Sequence, residues 1–268
     1  MKKSNILILV LLLIFSMLFI VLLPITYKTV KAYNNSNNFY DSILDIQKKN
    51  EEAVFLIDRI TYFSSCSAKG DTNSNSSFTI SDLYQYTDIA IFLNTLSEPL
   101  TRKNTLKSVV INDIEYIVTP SVGKPNLYYK KLSDFASPKY SSEDLINQSI
   151  TFEATSENNI DYSKPVLYNN CANPITLCYV NSELINNHTF SNDISKLTYN
   201  GSLLKMCGIA LSSLNCKISL NITITNNLDE SYYCPIIITI PLSTEVNTIY
   251  DGNISLKNNV DYKFIRIN

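Results

Sequence analysis

An uninterrupted apolar run near the N-terminus constrains this chain more than any other feature. Residues 6–23 contain Ser16 as their only polar member, and Lys2 and Lys3 stand just before them. As an α-helix, the run reaches ~27 Å at ~1.5 Å per residue, which matches the hydrocarbon core of a bilayer. A helix that packs on a soluble core has a polar face, and this run has none. The run therefore predicts a transmembrane helix in contact with the lipid bilayer. The leading lysines place the N-terminus inside and residues 33–268 on the extracytoplasmic side.

A cleaved secretory signal peptide is the alternative. Val30 and Ala32 put small or aliphatic side chains at the two positions that a signal peptidase inspects, and cleavage after Ala32 would give a secreted protein. The apolar run is longer than the ~7–15 residues of a usual signal core, so we favour a retained single-pass anchor in the cell membrane. Either route exports the rest of the chain.

The charge distribution argues against a nucleic-acid partner. The 268 residues include 22 basic and 24 acidic side chains, and four of the basic ones, but no acid, lie in residues 1–32. The remainder is therefore acidic, which is the wrong sign for binding a phosphate backbone. An apolar fraction of 45% allows one or two domains with a real core.

All six cysteines follow the apolar run, at Cys66, Cys171, Cys178, Cys207, Cys216 and Cys234. An even number in an exported chain favours disulfides. Local bridges from Cys171 to Cys178 and from Cys207 to Cys216, with Cys66 left for Cys234, are one of the ~15 connectivities that six cysteines allow. Free buried thiols are the alternative. Zinc is disfavoured because no pair has C-x-x-C spacing and the chain has one histidine.

From about residue 87 onward the hydrophobic period is two. In 218–225, four isoleucine and leucine residues alternate with polar ones, which predicts a strand with one face on a core. Pro235 and Pro241 cannot donate to a ladder, so the next strand is predicted to lie at an edge or to end there. We also predict a hairpin over 109–118 that turns at Asn112–Asp113, a helix near 141–148, and short strands over 87–94, 149–155, 175–181, 246–250 and 261–267. This pattern is typical of a mainly β fold with one or two antiparallel β-sandwiches.

A segment with helical spacing precedes these strands. Apolar residues at positions 43, 46, 53, 57 and 60 share one face, which predicts a juxtamembrane helix over 41–63 that serves as a stalk. The predicted organisation is therefore an anchor or signal (1–32), a juxtamembrane helix (33–65), a first β-rich part (66–140) and a β-sandwich (141–268).

Catalytic signals are weak. His188 is the only histidine, so any mechanism with a histidine base depends on one residue in an apparent loop. The five glycines are nowhere spaced as a phosphate-binding loop. We therefore predict no catalysis and no cofactor. An extracytoplasmic hydrolase that uses two carboxylates remains the enzyme alternative.

One loop has the spacing of a calcium ligand set. Asp71, Asn73, Asn75 and Asp82 occupy the first, third, fifth and twelfth positions of a twelve-residue loop, and Ser76 stands where such loops have glycine. The loop resembles the calcium loop of EF-hands and, more closely, that of dockerin modules. The resemblance implies a calcium site on these four residues, and a plain linker is the alternative that we favour.

The N-terminal residues carry a second resemblance. A short basic leader, the apolar run, Pro24, Tyr27 and an amphipathic continuation up to residue 63 resemble the type IV pilin class, whose subunits pack such helices into filaments. The resemblance implies a filament subunit. Pilins usually have a glutamate soon after the cleavage point, whereas the first acid here is Asp41. An ordinary single-span anchor accounts for the same residues.

The function predicted from the sequence is therefore structural or adhesive. We expect a surface-exposed β-sandwich protein that contacts a surface protein or a glycan. Its 18 tyrosines supply contact residues, although most occupy half-buried strand positions.

Overall fold

The computed structural model describes residues 30–31, 53–72, 77–96, 99–155, 161, 163–170, 174–185, 188–190 and 197–267. The chain divides into two units, Met1–Leu44 and Asp45–Asn268. In the first unit, Val30 and Lys31 are helical and exposed. The apolar run 6–23, and with it the predicted anchor or signal peptide, lies outside the described residues.

The second unit contains two six-stranded sheets. Sheet A has the order β11-β1-β2-β7-β4, with β8 paired to β2. Its strands are β1 (Phe55–Thr72), β2 (Phe78–Thr95), β4 (Lys124–Tyr129), β7 (Ile175–Ile185), β8 (His188–Phe190) and β11 (Ile254–Lys263). Sheet B has the order β12-β10-β9-β3-β5-β6. Its strands are β3 (Leu106–Val118), β5 (Ile150–Thr155), β6 (Val166–Tyr168), β9 (Lys217–Asn226), β10 (Ser231–Thr239) and β12 (Ile265–Arg266). Within 53–267, the described α-helix is α1 (Ser202–Met206).

The main core lies between the two sheets. The predicted strand over 218–225 is confirmed as part of β9, and its four alternating apolar side chains are fully buried. Aromatic side chains join the sheets: the Phe55 and Tyr232 ring centroids are 5.2 Å apart, and those of Tyr129 and Phe152 are 5.9 Å apart. This is the packing of a β-sandwich, in which inward positions of both sheets interdigitate. All described strand pairs are antiparallel apart from β5 and β6.

A second apolar cluster packs against the part of the β1–β2 hairpin nearest its turn. Cys66 and Ile80 from the hairpin pack there with Leu203 and Leu204 of α1 and with Ile249. Because α1 and the turn at 249–251 cover this part of the hairpin, its apolar face is kept from water.

The predicted fold class is wrong in its helical part. Among the described residues, none of the helices has the length and apolarity required to cross a bilayer. The predicted juxtamembrane helix over 41–63 is contradicted from Phe55 onward, where β1 begins. A bulge between Ile57 and Arg59 inserts an extra residue, so the inward-facing Ile57 and Ile60 are three positions apart. This spacing in a bulged strand mimics a helical step.

Smaller predictions are also corrected. The stretch 109–118 belongs to one strand, β3, in which the register shifts between Asn112 and Glu115 and Asp113 takes a left-handed φ of 49°. The predicted helix at 141–148 is a 3-10 turn over Ser142–Asp144, and 246–250 runs into a second 3-10 turn. Each sheet contains strands from both 66–140 and 141–268.

Candidate functional site

The outer face of sheet A carries an aromatic cluster instead of the polar side chains expected of a solvated sheet face. On β2, Ile89 and Ile91 point into the sandwich, whereas Tyr84, Tyr86 and Asp88 alternate with them on the outer face. The outer cluster consists of buried Tyr84, Tyr86, Cys178 and Val180, packed against Phe63, Tyr128 and Tyr140. Residues 131–145, here called the covering segment, supply Tyr140 and lie over this face.

A buried ion pair holds the covering segment in place. The Lys130 Nζ lies 3.2 Å from the Asp88 Oδ1, and the two side chains are 1% and 0% exposed. Lys130 Nζ also donates to the carbonyl oxygens of Ser137 (2.8 Å) and Lys139 (2.5 Å). The backbone N–H of Ala136 donates to Asp88 Oδ2 at 2.7 Å. Two side chains from the sheet thus bind three backbone groups of the segment.

The local backbone is shaped for these contacts. Ala136 has a left-handed φ of 62°, which is uncommon for a residue with a Cβ atom. This conformation aims its N–H at the carboxylate of Asp88, because the chain turns back over the sheet at this point.

Burial dominates the electrostatics of the pair. Desolvation raises the pKa of Asp88, and the positive charge of Lys130 opposes that rise only in part. The pKa of the neighbouring Cys178 thiol is raised well above its ordinary value, mainly by burial and then by the charge of Asp88. The Lys130 Nζ also lies 5.9 Å from the ring centroid of Tyr86, so an aromatic face covers the cation.

A shallow groove opens beside the pair. It is lined by Tyr129, Lys130, Lys131, Asp134, Lys139, Tyr140, Ser141 and Asp144, and we call it the Tyr140 groove. The Tyr140 ring is held by Tyr128 and Tyr84, at centroid distances of 5.0 Å and 5.5 Å. The groove therefore combines a fixed aromatic ring with a mixed set of carboxylates, amines and a hydroxyl.

The two aspartates of the groove have different environments. Asp134 lies 3.4 Å from Lys139 Nζ. Partial burial raises the pKa of Asp144, with the charge of Lys131 lowering it and that of Glu143 raising it. The two carboxyl groups at one groove are thus not equivalent.

The predicted disulfide pairs are not joined. Cys66, Cys178, Cys207, Cys216 and Cys234 are free thiols, and Cys171 lies outside the described residues. Cys66 pairs across the ladder with Gln85 in sheet A, whereas Cys234 faces Ile222 in sheet B. Cys207 lies at the C-terminal end of α1, and Cys216 precedes β9.

Two of the four calcium candidates, Asp71 and Asp82, lie on the two strands of the β1–β2 hairpin. Asp71 lies opposite Thr79, and Asp82 lies opposite Lys69. Asp82 Oδ1 accepts a hydrogen bond from the backbone N–H of Glu183 at 3.0 Å. Asn73 and Asn75 lie outside the described residues. No group of three or more acidic, cysteine or histidine residues in the described part of the chain is arranged to hold a metal ion.

His188 lies on β8, where its ring packs edge-on against Phe190 at a centroid distance of 4.7 Å.

The sequence did not single out Asp88, Lys130 or Tyr140. A signal was present for Asp88, which is an acid at the start of the otherwise apolar run 88–93. Nothing local pointed to Lys130, which lies 42 positions further along the chain.

Comparison with known proteins returned no match: no family model, no curated protein and no solved structure is similar to this chain.

Proposed function

We propose that residues 53–267 form an extracytoplasmic binding module that adheres to a glycan through the Tyr140 groove. The observation that carries the proposal is the fixed ring of Tyr140 at the wall of a groove that also contains Asp134, Asp144 and Ser141. The ring is held in place by two neighbouring tyrosines, so binding would not have to order it.

The chemistry of the groove suits a ligand rich in hydroxyl groups. Carboxylates accept hydrogen bonds from sugar hydroxyls, and the lysine ammonium groups donate to ring and hydroxyl oxygens. A tyrosine ring offers an apolar face to the C–H side of a sugar and a polar hydroxyl at its tip. A nucleic acid fits less well, because two carboxylates line the same groove.

Export of this module is part of the proposal. Its support is the basic and then apolar N-terminal sequence, which is typical of a segment that directs a chain to the membrane. Labelling of intact cells with a membrane-impermeant amine reagent tests it. We expect labelled lysines from 53–267, and a chain that is protected until the cells are lysed would contradict export.

Binding is tested with the purified full chain on a printed glycan array. Tyr140→Ala should weaken binding about tenfold, equivalent to ~1.4 kcal/mol for one aromatic contact. Tyr199→Ala is the matched control, because Tyr199 is 50% exposed and lies outside the groove. Equal losses in the two variants, or no array binding by a folded chain, would contradict the proposal.

A carboxylate-dependent hydrolase is the second candidate. Asp134 and Asp144 line one groove, and the pKa of Asp144 is raised whereas Asp134 lies beside the Lys139 ammonium. A proton donor and a second carboxyl group are the two parts that glycoside hydrolysis requires. The assay is the release of reducing ends from the polysaccharide that the array identifies. Asp144→Asn should reduce the rate ~100-fold or more while the glycan still binds. Binding without turnover by the unmodified chain favours the adhesive function.

A further inference from the structure

We propose that Lys130 and Asp88 join in an intramolecular amide bond, formed by the folded chain itself. The bond would link the end of β4 to β2 beneath the covering segment. The proposal is independent of the ligand and of the location of the protein, since it uses only groups of this chain on the outer face of sheet A.

The nucleophile is already oriented for this reaction. An ammonium has three N–H bonds, and two of those on Lys130 donate to the Ser137 and Lys139 carbonyl oxygens. The third neighbour of Nζ is Asp88 Oδ1 at 3.2 Å. When the third proton leaves, the two remaining N–H bonds keep their acceptors, and the lone pair of the amine faces the carboxyl group.

The carboxyl group is prepared as the electrophile. Asp88 Oδ1 is buried, has no hydrogen bond of regular geometry among the described residues and lies 3.2 Å from Lys130 Nζ, so it is placed to receive the proton from that ammonium. Burial disfavours two opposite charges relative to a neutral acid and a neutral amine, and it raises the pKa of Asp88. Oδ2 accepts the Ala136 N–H at 2.7 Å, which stabilises negative charge on that oxygen as the amine adds to Cγ.

The reaction balances without a co-reactant. One Nζ proton moves to Oδ1, which gives the neutral acid and amine. The lone pair of Nζ then forms the N–Cγ bond. A second proton passes to Oδ1, and the Cγ–Oδ1 bond breaks with its electron pair on the oxygen, which leaves as water. The third proton stays on the amide nitrogen and donates to one of the two segment carbonyls. No oxidation or reduction occurs.

The surroundings favour the product. The aromatic cluster on the outer face excludes bulk water from the pair, and water would otherwise stabilise the separated ions. Lys130 also borders the Tyr140 groove, which gives the released water a way out.

Intact mass spectrometry of the reduced, purified full chain tests the proposal. We expect a mass about 18 Da below the mass calculated from the sequence. The N-terminal peptide of the same sample shows at which residue the calculation must begin. Digestion with trypsin should give a branched peptide that joins 70–102 to a segment in which cleavage after Lys130 is blocked. A single aspartate that loses water would also lower the mass by about 18 Da, but only the Lys130–Asp88 amide gives a branched peptide. This measurement requires no variant.

Two variants complete the test. Lys130→Arg keeps the positive charge but should show the full mass and no branched peptide. Lys124→Ala is the matched control, because Lys124 is on the same strand and forms an exposed ion pair with Glu183 at 2.7 Å. This control should retain the loss of 18 Da. The proposal is overturned if the folded, unmodified chain has its full mass after incubation at 37 °C, or if Lys130→Arg still shows the loss.

Discussion

Replacement of Gly201 by alanine should destabilise the sandwich more than any other single added methyl group near α1. Gly201 stands at the N-terminal end of α1, where its N–H donates to the carbonyl oxygen of Gly252 at 2.6 Å. A Cβ atom at this position would lie 1.9 Å from the backbone oxygen of Ile249 and 2.4 Å from that of Gly252. Both atoms belong to a backbone turn, so no side-chain rotation relieves the overlap.

The size of the destabilisation follows from how far the turn at 249–252 must move to make room for the added methyl group. Separating the turn from α1 by more than ~1 Å breaks the hydrogen bond, and a buried group without its partner costs ~1–3 kcal/mol. Overpacking against a fixed neighbour adds ~1–3 kcal/mol, because the second apolar cluster must shift with the turn. We expect a loss of about 2–6 kcal/mol in the free energy of unfolding. With an m-value of ~2–3 kcal/mol/M in urea, the midpoint should fall by about 1–3 M.

Gly208 is the matched control, seven positions along the same segment. It has a φ of 72°, and a Cβ atom there would meet nothing within 4 Å. Gly208→Ala should therefore cost only the ~1–2 kcal/mol of a left-handed alanine. The assay is urea unfolding of the full chain followed by circular dichroism. If Gly201→Ala is no more destabilising than Gly208→Ala, the packing of α1 against the turn is not as described.

Three further outcomes are expected. Burial raises the pKa of Cys216 and Cys234 to about 12, so the unfolded chain loses protons near pH 9 while the folded chain keeps them. The contribution of these two thiols to stability should therefore be constant below about pH 8 and fall as the pH rises towards 12. The fall in the urea midpoint over this range should be smaller in Cys234→Ala. Half-exposed Cys207 should react with a maleimide before Cys216 and Cys234 do, as judged by peptide mapping. Phe55→Ala should cost ~3–5 kcal/mol, against roughly 1 kcal/mol for Phe55→Leu, because the ring fills the space between the two sheets.

The sequence predicts correctly those strands in which the alternation of apolar and polar residues matches the alternation of buried and exposed side chains. β9 is such an element, since every second residue from Ile218 to Ile224 is buried and no bulge disturbs the period. β1 is the opposite case. Its bulge near Asp58 changes the spacing of the inward side chains from two to three, and the same residues then fit a helical face. Asp113, the single left-handed residue in β3, resembles the turn of a hairpin for a related reason. The pair Asn-Asp is favoured both in turns and at bulges.

The candidate site could not be predicted from the sequence, for a different reason. Asp88 and Lys130 are on β2 and at the end of β4, and the strand that lies between them in sheet A is β7. β7 comes from residues 175–185, so the contact depends on a strand that follows both partners in the sequence. No window of the sequence contains all three elements. A charged residue in an apolar strand can therefore be recognised as unusual, but its partner is set by the strand order of the sheet. Buried acids in predicted strands are for this reason better treated as half of an unidentified pair than as errors in the strand prediction.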